Sequence, residues 1–289
     1  MKNFKPEDEL VKKVYQTEEI NFHVGFTETK TILGLDIYRY SDYKSGIQEY
    51  VPVLFRLLYK TAISSCIKNE PFVFQKYGTT YGDFESNFIN TGDGGFQIFD
   101  NPLQALVFAA YFQAGVIRSN SNTFNKEIYI NLSRKIGRIE LRYAISTGGI
   151  FSYNKNFYGE AIINNARMLS KDNLNRFLSD YASIDWFNKT INTIENLMII
   201  KLSELRLLAY FKDYNFSKDS RLIVDFGEPV FKTLETQKIG IIKSKNTSIE
   251  IHNLRVQLKL IPSGILGDIK TKYRDIIVTL GNSNVQGIE

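Results

Sequence analysis

The chain has 289 residues, 43% of them hydrophobic and 13% aromatic, with 36 basic and 31 acidic side chains and a net charge of +5. High apolar content and a small net charge exclude a disordered chain and suffice for one sizeable core, with room for an appended subdomain. One cysteine, Cys66, excludes an intrachain disulfide and a cysteine-based zinc cluster, and two histidines, His23 and His252, leave little room for His-dependent chemistry. Carboxylates, arginines and lysines must therefore carry any catalysis. The basic and acidic residues are interspersed, without a long Lys/Arg run, so the mild basicity fits a solvated surface or an anionic substrate better than nucleic acid. The opening MKNFKPEDELVKKVYQ is charged throughout, and no apolar run reaches membrane-spanning length. The expectation is a cytoplasmic protein with no membrane partner.

In chain order, residues 1–27 read as a charged amphipathic arm. Residues 30–37, KTILGLDI, form a short apolar run ending in a carboxylate, the pattern of a buried strand. From Lys44 to Ile67 the apolar residues recur at helical spacing, predicting one amphipathic helix with Pro71 beyond its end. Asn87–Asn90 and Gly94–Phe99 flank Gly92-Asp93-Gly94, a hairpin signal. Asn101-Pro102 is an N-cap followed by proline in the first helical turn, and the helix behind it runs to about Arg118. Arg138–Ile145 is a further strand, Ser146–Gly149 a turn, and Gly159–Leu169 opens a third helix. Residues 172–213 read as mainly helical, and 220–280 alternate like strands. The order strand, helix, hairpin, helix, strand, helix is the split βαβ plan of an α+β, ferredoxin-like βαββαβ domain.

That plan gives two aspartates a common address. Asp36 ends the first central strand and Asp93 occupies the tip of the hairpin that neighbours it. Paired carboxylates with phosphate oxygens make the oxygen-rich site that Mg²⁺ or Mn²⁺ prefers. Two such ions can activate an attacking hydroxyl and steady a leaving oxygen. Either aspartate alone reads as an ordinary cap or turn residue.

Three stretches resemble the class III adenylyl/guanylyl cyclase catalytic domain, over about residues 28–200. Leu35-Asp36-Ile37-Tyr38-Arg39-Tyr40-Ser41 looks like the family's metal strand, and Asn90-Thr91-Gly92-Asp93-Gly94-Gly95-Phe96 looks like its second-metal hairpin. Leu141–Ile150, then Phe157-Tyr158-Gly159 and Asn164–Leu169, look like its later strand and Asn/Arg helix. The resemblance implies a cyclase homology domain at 28–200 followed by an extension of unknown role at 201–289. It implies two divalent ions held by Asp36, Asp93 and the Ile37 carbonyl, with Arg167 stabilising charge on the α-phosphate of a nucleoside triphosphate. It also implies a symmetric homodimer with its sites at the interface, because this one chain carries both halves of a site. The sequence departs from the family at the transition-state Asn, whose slot holds Ile163. Asn164, one position later, is the candidate replacement. Arg39 stands where the family has Gly, as a phosphate contact or a surface arginine.

The family's two purine-reading slots hold Ile89 and Asn156. An aliphatic side chain cannot pair with a purine edge, whereas a carboxamide can both donate and accept. This makes the chain look like the pyrimidine cyclases of bacterial antiphage signalling, which make cyclic CMP or cyclic UMP for a separate effector; CTP is favoured over UTP. Phe22 is the candidate base-packing residue, with burial in the core as its competing reading. The alternatives are a purine cyclase, a catalytically silent nucleotide-binding dimerisation module, a diguanylate-cyclase-like enzyme and an RNA-binding ferredoxin-like module. The last two lack their Glu-rich hairpin and aromatic strand motif.

Overall fold

The structure, a computed structural model, describes residues 28–153, 156–197, 231–243, 248–260 and 276–288. The arm at 1–27, with Phe22, lies outside the described residues. Strand β1 (Glu28–Ile37) carries apolar residues on both faces and lies inside the sheet. Leu33, Leu35 and Ile37 enter the largest core cluster, while Ile32 enters a second one. The two-residue period of a strand therefore sends Gly34 and Asp36 to the Ile32 face.

Around β1 lie the hairpin β2 (Phe88–Asn90) and β3 (Gly94–Phe99), and the long strand β4 (Leu141–Tyr153). Further on come β5 (Asn156–Gly159), β6 (Phe177–Asp180), β7 (Phe231–Lys243), β8 (Ser248–Leu260) and β9 (Ile276–Leu280). The sheet order is β2-β3-β1-β4-β6-β8-β7, with β5 on β4 and β9 on β8. β1 is antiparallel to both β3 and β4, and β4 runs parallel to β6. The first four strands thus follow the split βαβ plan, and the α+β expectation holds. Strands β7 to β9 continue the same sheet through the β6–β8 pairing.

Helices α1 (Val51–Asn69), α2 (Pro102–Asn120), α3 (Glu127–Ile136) and α5 (Tyr181–Leu197) contribute to the large core on the Leu33 face. Helix α4 (Glu160–Lys171) covers the opposite face. Asn165 fixes it there: its amide nitrogen donates to the Ile32 carbonyl at 2.9 Å, the Ala144 carbonyl at 3.0 Å and Ser146 Oγ at 3.1 Å. Gly34 makes room, since a Cβ there would lie 2.0 Å from Asn165 Oδ1. No described helix is long and apolar enough to cross a membrane.

Three local expectations change. The 44–67 helix is interrupted: a turn at Ser45–Gln48 stops before α1, because Pro52 cannot continue a helix and instead sits in the first turn of the next. Ser146–Gly149 is not a turn but part of β4, its backbone paired with Thr29–Ile32. Residues 177–180 form a strand inside the stretch read as helical. Helix α3, although amphipathic with Tyr129, Leu132 and Ile136 buried at helical spacing, was not read from the sequence. Asn101 caps α2 as expected, its Oδ1 accepting from Gln104 N at 3.1 Å.

Candidate active site

The end of β1 and the β2–β3 hairpin tip are fastened together by main chain. Gly94 pairs directly opposite Asp36, and a Cβ on it would lie 2.1 Å from the Leu35 carbonyl oxygen. Only glycine lets the strands close there. The Ile37 N–H then donates to the Asp93 carbonyl at 3.2 Å. Asp36, Ile37 and Asp93 consequently line one cleft of about 500 Å³, with Arg39, Arg142 and Asn173 on its other walls.

Arg142 is the residue that sequence reasoning left without a role. It lies opposite Asp36 on β4, and its Nε donates to Asp36 Oδ2 at 2.8 Å while Nη2 bonds the same oxygen. Its remaining Nη1 donates to the Asp172 carbonyl at 2.7 Å, past the end of α4. The pair is mostly sheltered, with Arg142 21% and Asp36 18% exposed. Burial pushes the Asp36 carboxyl above the usual carboxylate range, Arg142 pulls it back, and the charge of Asp93 pushes it up again. The net direction is upward. An arginine in the interior of a strand next to a carboxylate strand was the available signal; the register that pairs them was not.

Both Arg142 bonds fall on Oδ2, so Asp36 Oδ1 takes no part in the ion pair. Among the described residues no group of three or more His, Cys, Asp or Glu could form a metal cluster. The donor set is therefore two carboxylates in an open cleft. Such an incomplete, all-oxygen set fits a hard divalent ion that fills its coordination with water and phosphate oxygens, and does not suit a closed structural site.

No protein-family model matches the sequence, and no curated protein matches it. Among solved structures, the chain is similar to an adenylate/guanylate cyclase/hydrolase from Silicibacter pomeroyi, at 16% identity and TM-score 0.45, covering 80% of this chain and 98% of that one. It is similar to the adenylyl cyclase CyaB from P. aeruginosa at 12% identity and TM-score 0.41, covering 80% and 96%. A third is the dimeric guanylyl cyclase domain of a RhoGC fusion protein from Blastocladiella emersonii, at 11% identity and TM-score 0.43, covering 78% and 96%.

Arg39 takes up the left-handed backbone, φ 56° and ψ 40°, at the start of a 3₁₀ turn at Tyr40–Asp42. A non-glycine residue is strained there by about 1 kcal/mol or more. Its exposed ion pair with Asp42, at 3.9 Å, returns little. Arg39→Gly is therefore expected to leave the melting temperature unchanged or raise it by about 2–4 °C. A fall in melting temperature would contradict the strain argument.

The structure does not bring the α4 candidates to this cleft. Arg167 is half-buried and shares the outward side of α4 with Ile163, four residues earlier and 51% exposed. Asn164 is only 8% exposed, and its Oδ1 is buried without a hydrogen-bond partner. Asn165, which the sequence reading passed over, is the one committed to the sheet. Ile89, in β2, is half-buried against the apolar cluster of Ile32, Ile98 and Ile150, beside Phe96 and Phe157. Asn156 begins β5 and is exposed, opposite Tyr153 in the β4–β5 hairpin.

Proposed function

We propose that the chain is a nucleotide cyclase that converts a pyrimidine nucleoside triphosphate, CTP before UTP, to the 3′,5′-cyclic monophosphate and pyrophosphate. The observation that carries this reading is the convergence of Asp36 and Asp93 on one open cleft, with Arg142 on Asp36. In the reaction the ribose 3′-oxygen bonds to the α-phosphorus, the bond from that phosphorus to the β-bridging oxygen breaks, and the 3′-hydroxyl proton leaves. Mg²⁺ or Mn²⁺ bound by Asp36, Asp93 and the Ile37 carbonyl would supply positive charge to the phosphates and acidity to the hydroxyl. The two carboxylates orient that charge. Arg142 lies at the same wall, where its guanidinium can face phosphate oxygens.

Arg167 is assigned to charge on the α-phosphate, acting from a second copy of the chain. Two observations support this assignment. Arg167 is not among the residues that line its own chain's cleft, and the surface exposes Phe151, Tyr153, Tyr158 and Ile163, apolar area that a partner would cover. Phe151 and Tyr158 stack on one another, with ring centroids 5.7 Å apart, which stiffens the hairpin that carries them. The base assignment rests on the apolar setting of Ile89, which offers a purine edge no hydrogen bond, and on the two-way hydrogen bonding of Asn156. The product acts in this reading as a second messenger of antiphage defence, read by a separate effector.

Incubating the protein with each of the four nucleoside triphosphates and Mn²⁺, with products identified by mass spectrometry, tests both halves. Cyclic CMP or cyclic UMP is expected as the main product. Cyclic AMP as the main product would overturn the base assignment, and no cyclic product would overturn the enzyme. The outward Ile163 and the buried Asn164 favour one second reading, a silent nucleotide-binding module. That reading requires nucleotide binding without turnover.

A further inference from the structure

The segment that follows β9, Asn282–Gln286, has no counterpart in the chemistry above. Yet its hydrogen bonds lead to the reaction centre. Asn253 on β8 donates from Nδ2 to the carbonyls of Asn282 (2.8 Å) and Asn284 (3.1 Å), anchoring the segment to the sheet. Within it, Asn282 Oδ1 accepts from Asn284 N at 2.9 Å and Asn284 Oδ1 accepts from Gln286 N at 3.0 Å. Two polar turns in succession hold it in one shape.

From that shape it grips the loop between α4 and β6. Asn282 Nδ2 donates to the carbonyls of Leu174 (2.9 Å) and Asn175 (3.0 Å). Arg176 Nη1 donates to the Gln286 carbonyl at 2.5 Å. Arg176 is 2% exposed, and it also closes a ring with Asp172: its main-chain N–H reaches one carboxylate oxygen at 2.8 Å and its Nε the other at 2.9 Å. A buried ion pair whose donors and acceptors are this fully engaged rigidifies the backbone around it.

The rigid loop then meets the cleft. The Asp172 carbonyl accepts from Arg142, which holds Asp36, and the Asn173 carbonyl accepts from Tyr38 Oη at 2.9 Å. Tyr38 lies two residues beyond Asp36, so both of the loop's outward carbonyls are spent on the end of β1 and its partner on β4. We infer that Asn282–Gln286 is a positioning element of the reaction centre, acting through the Asp172–Arg176 loop to set Arg142 and Tyr38 against Asp36. Asn282 and Arg176 are its positioning residues. This rests on the cyclase reading for its effect on turnover, but not for its effect on Arg142.

Asn282→Asp is the selective probe. It is isosteric and keeps the acceptor for Asn284 N, but replaces the amide donor to Leu174 and Asn175 with a carboxylate. Two readouts are taken on the full chain. The first, without nucleotide or metal, is the Arg142 Nε–H resonance, identified by its loss in Arg142→Lys. It is expected to be sharp and exchange-protected in the wild type, and broadened and exchanging in Asn282→Asp and in Arg176→Lys. The second is turnover, with kcat expected to fall about 10–100-fold and KM to change far less. A merely structural role would lower the melting temperature while leaving the Arg142 resonance and kcat in place, and that result overturns the inference. Should Asn282→Asp fail to fold, Asn282→Ala carries the same test. Absence of any cyclic product from the wild type would sink the cyclase reading alone, because the resonance still decides the relay.

Discussion

Asp36→Asn is expected to lower cyclic-nucleotide formation by at least about 10³-fold, with Asp93→Asn behaving alike. The substitution changes little except charge. The carboxamide keeps an oxygen for Arg142, and Arg142 keeps its bond to the Asp172 carbonyl. Burial already pushes the Asp36 carboxyl upward, which means that the charged form is held at a cost that a neutral side chain avoids. Folding should therefore survive, with an unfolding free energy within about 1.5–3 kcal/mol of the wild type, the usual size of one hydrogen bond to a charged group. Arg142→Ala should behave oppositely in stability: it strands a half-buried carboxylate, which costs more than losing the pair as a whole. Activity, circular dichroism and denaturant midpoints measured side by side separate these effects. An Asp36→Asn protein that retains activity within tenfold of the wild type would remove the carboxylate pair from the mechanism.

How much of this was legible in the sequence depended on whether the signal was local. β1 was legible because it is a short apolar run that ends in a carboxylate, and α2 because Asn101-Pro102 is a cap that needs no partner. The Gly92-Asp93-Gly94 tip was legible for the same reason. The reach of β4 was not: Gly148-Gly149 looks like a turn until β1 pairs with it, and nothing within the segment says so. Arg142 was visible as a residue but not as the counter-ion of Asp36, since a cross-strand pair exists only once the register is fixed. Asp172–Arg176 has the spacing of a helical ion pair and yet sits in a loop, closed on a carbonyl 110 residues further along. The Asn-rich stretch after β9 gave no signal, because Asn282 bonds to the main-chain carbonyls of Leu174 and Asn175, which leave no trace in composition. Of the Asn164-Asn165 pair, the sequence pointed at the first as the functional one. The structure shows that the second is pinned to the sheet, and that Ile163, not Asn164, faces outward with Arg167.

That last arrangement leads to the second large effect. Arg167 does not line the cleft of its own chain, so the proposed reaction centre is completed only by a second copy. Two inactive proteins should then repair one another. Arg167→Ala alone is expected to lose about 10²–10³-fold in turnover, the usual result of removing one group that stabilises transition-state charge. Asp36→Asn alone is expected to be inactive. When the two are mixed in equal amounts and allowed to exchange subunits, half the dimers are heterodimers. Each heterodimer has one site with both defects and one site with neither, so the mixture should recover about a quarter of wild-type activity. The recovery should require association, and hence fail for a variant of the exposed hairpin such as Phe151→Asp, which places a charge in apolar surface. If the mixture stays as inactive as its components while still forming heterodimers, Arg167 acts within its own chain or not at all. A mixture that recovers a quarter of the activity ties α4 of one chain to the Asp36 cleft of the other, and makes the reaction centre a property of the pair.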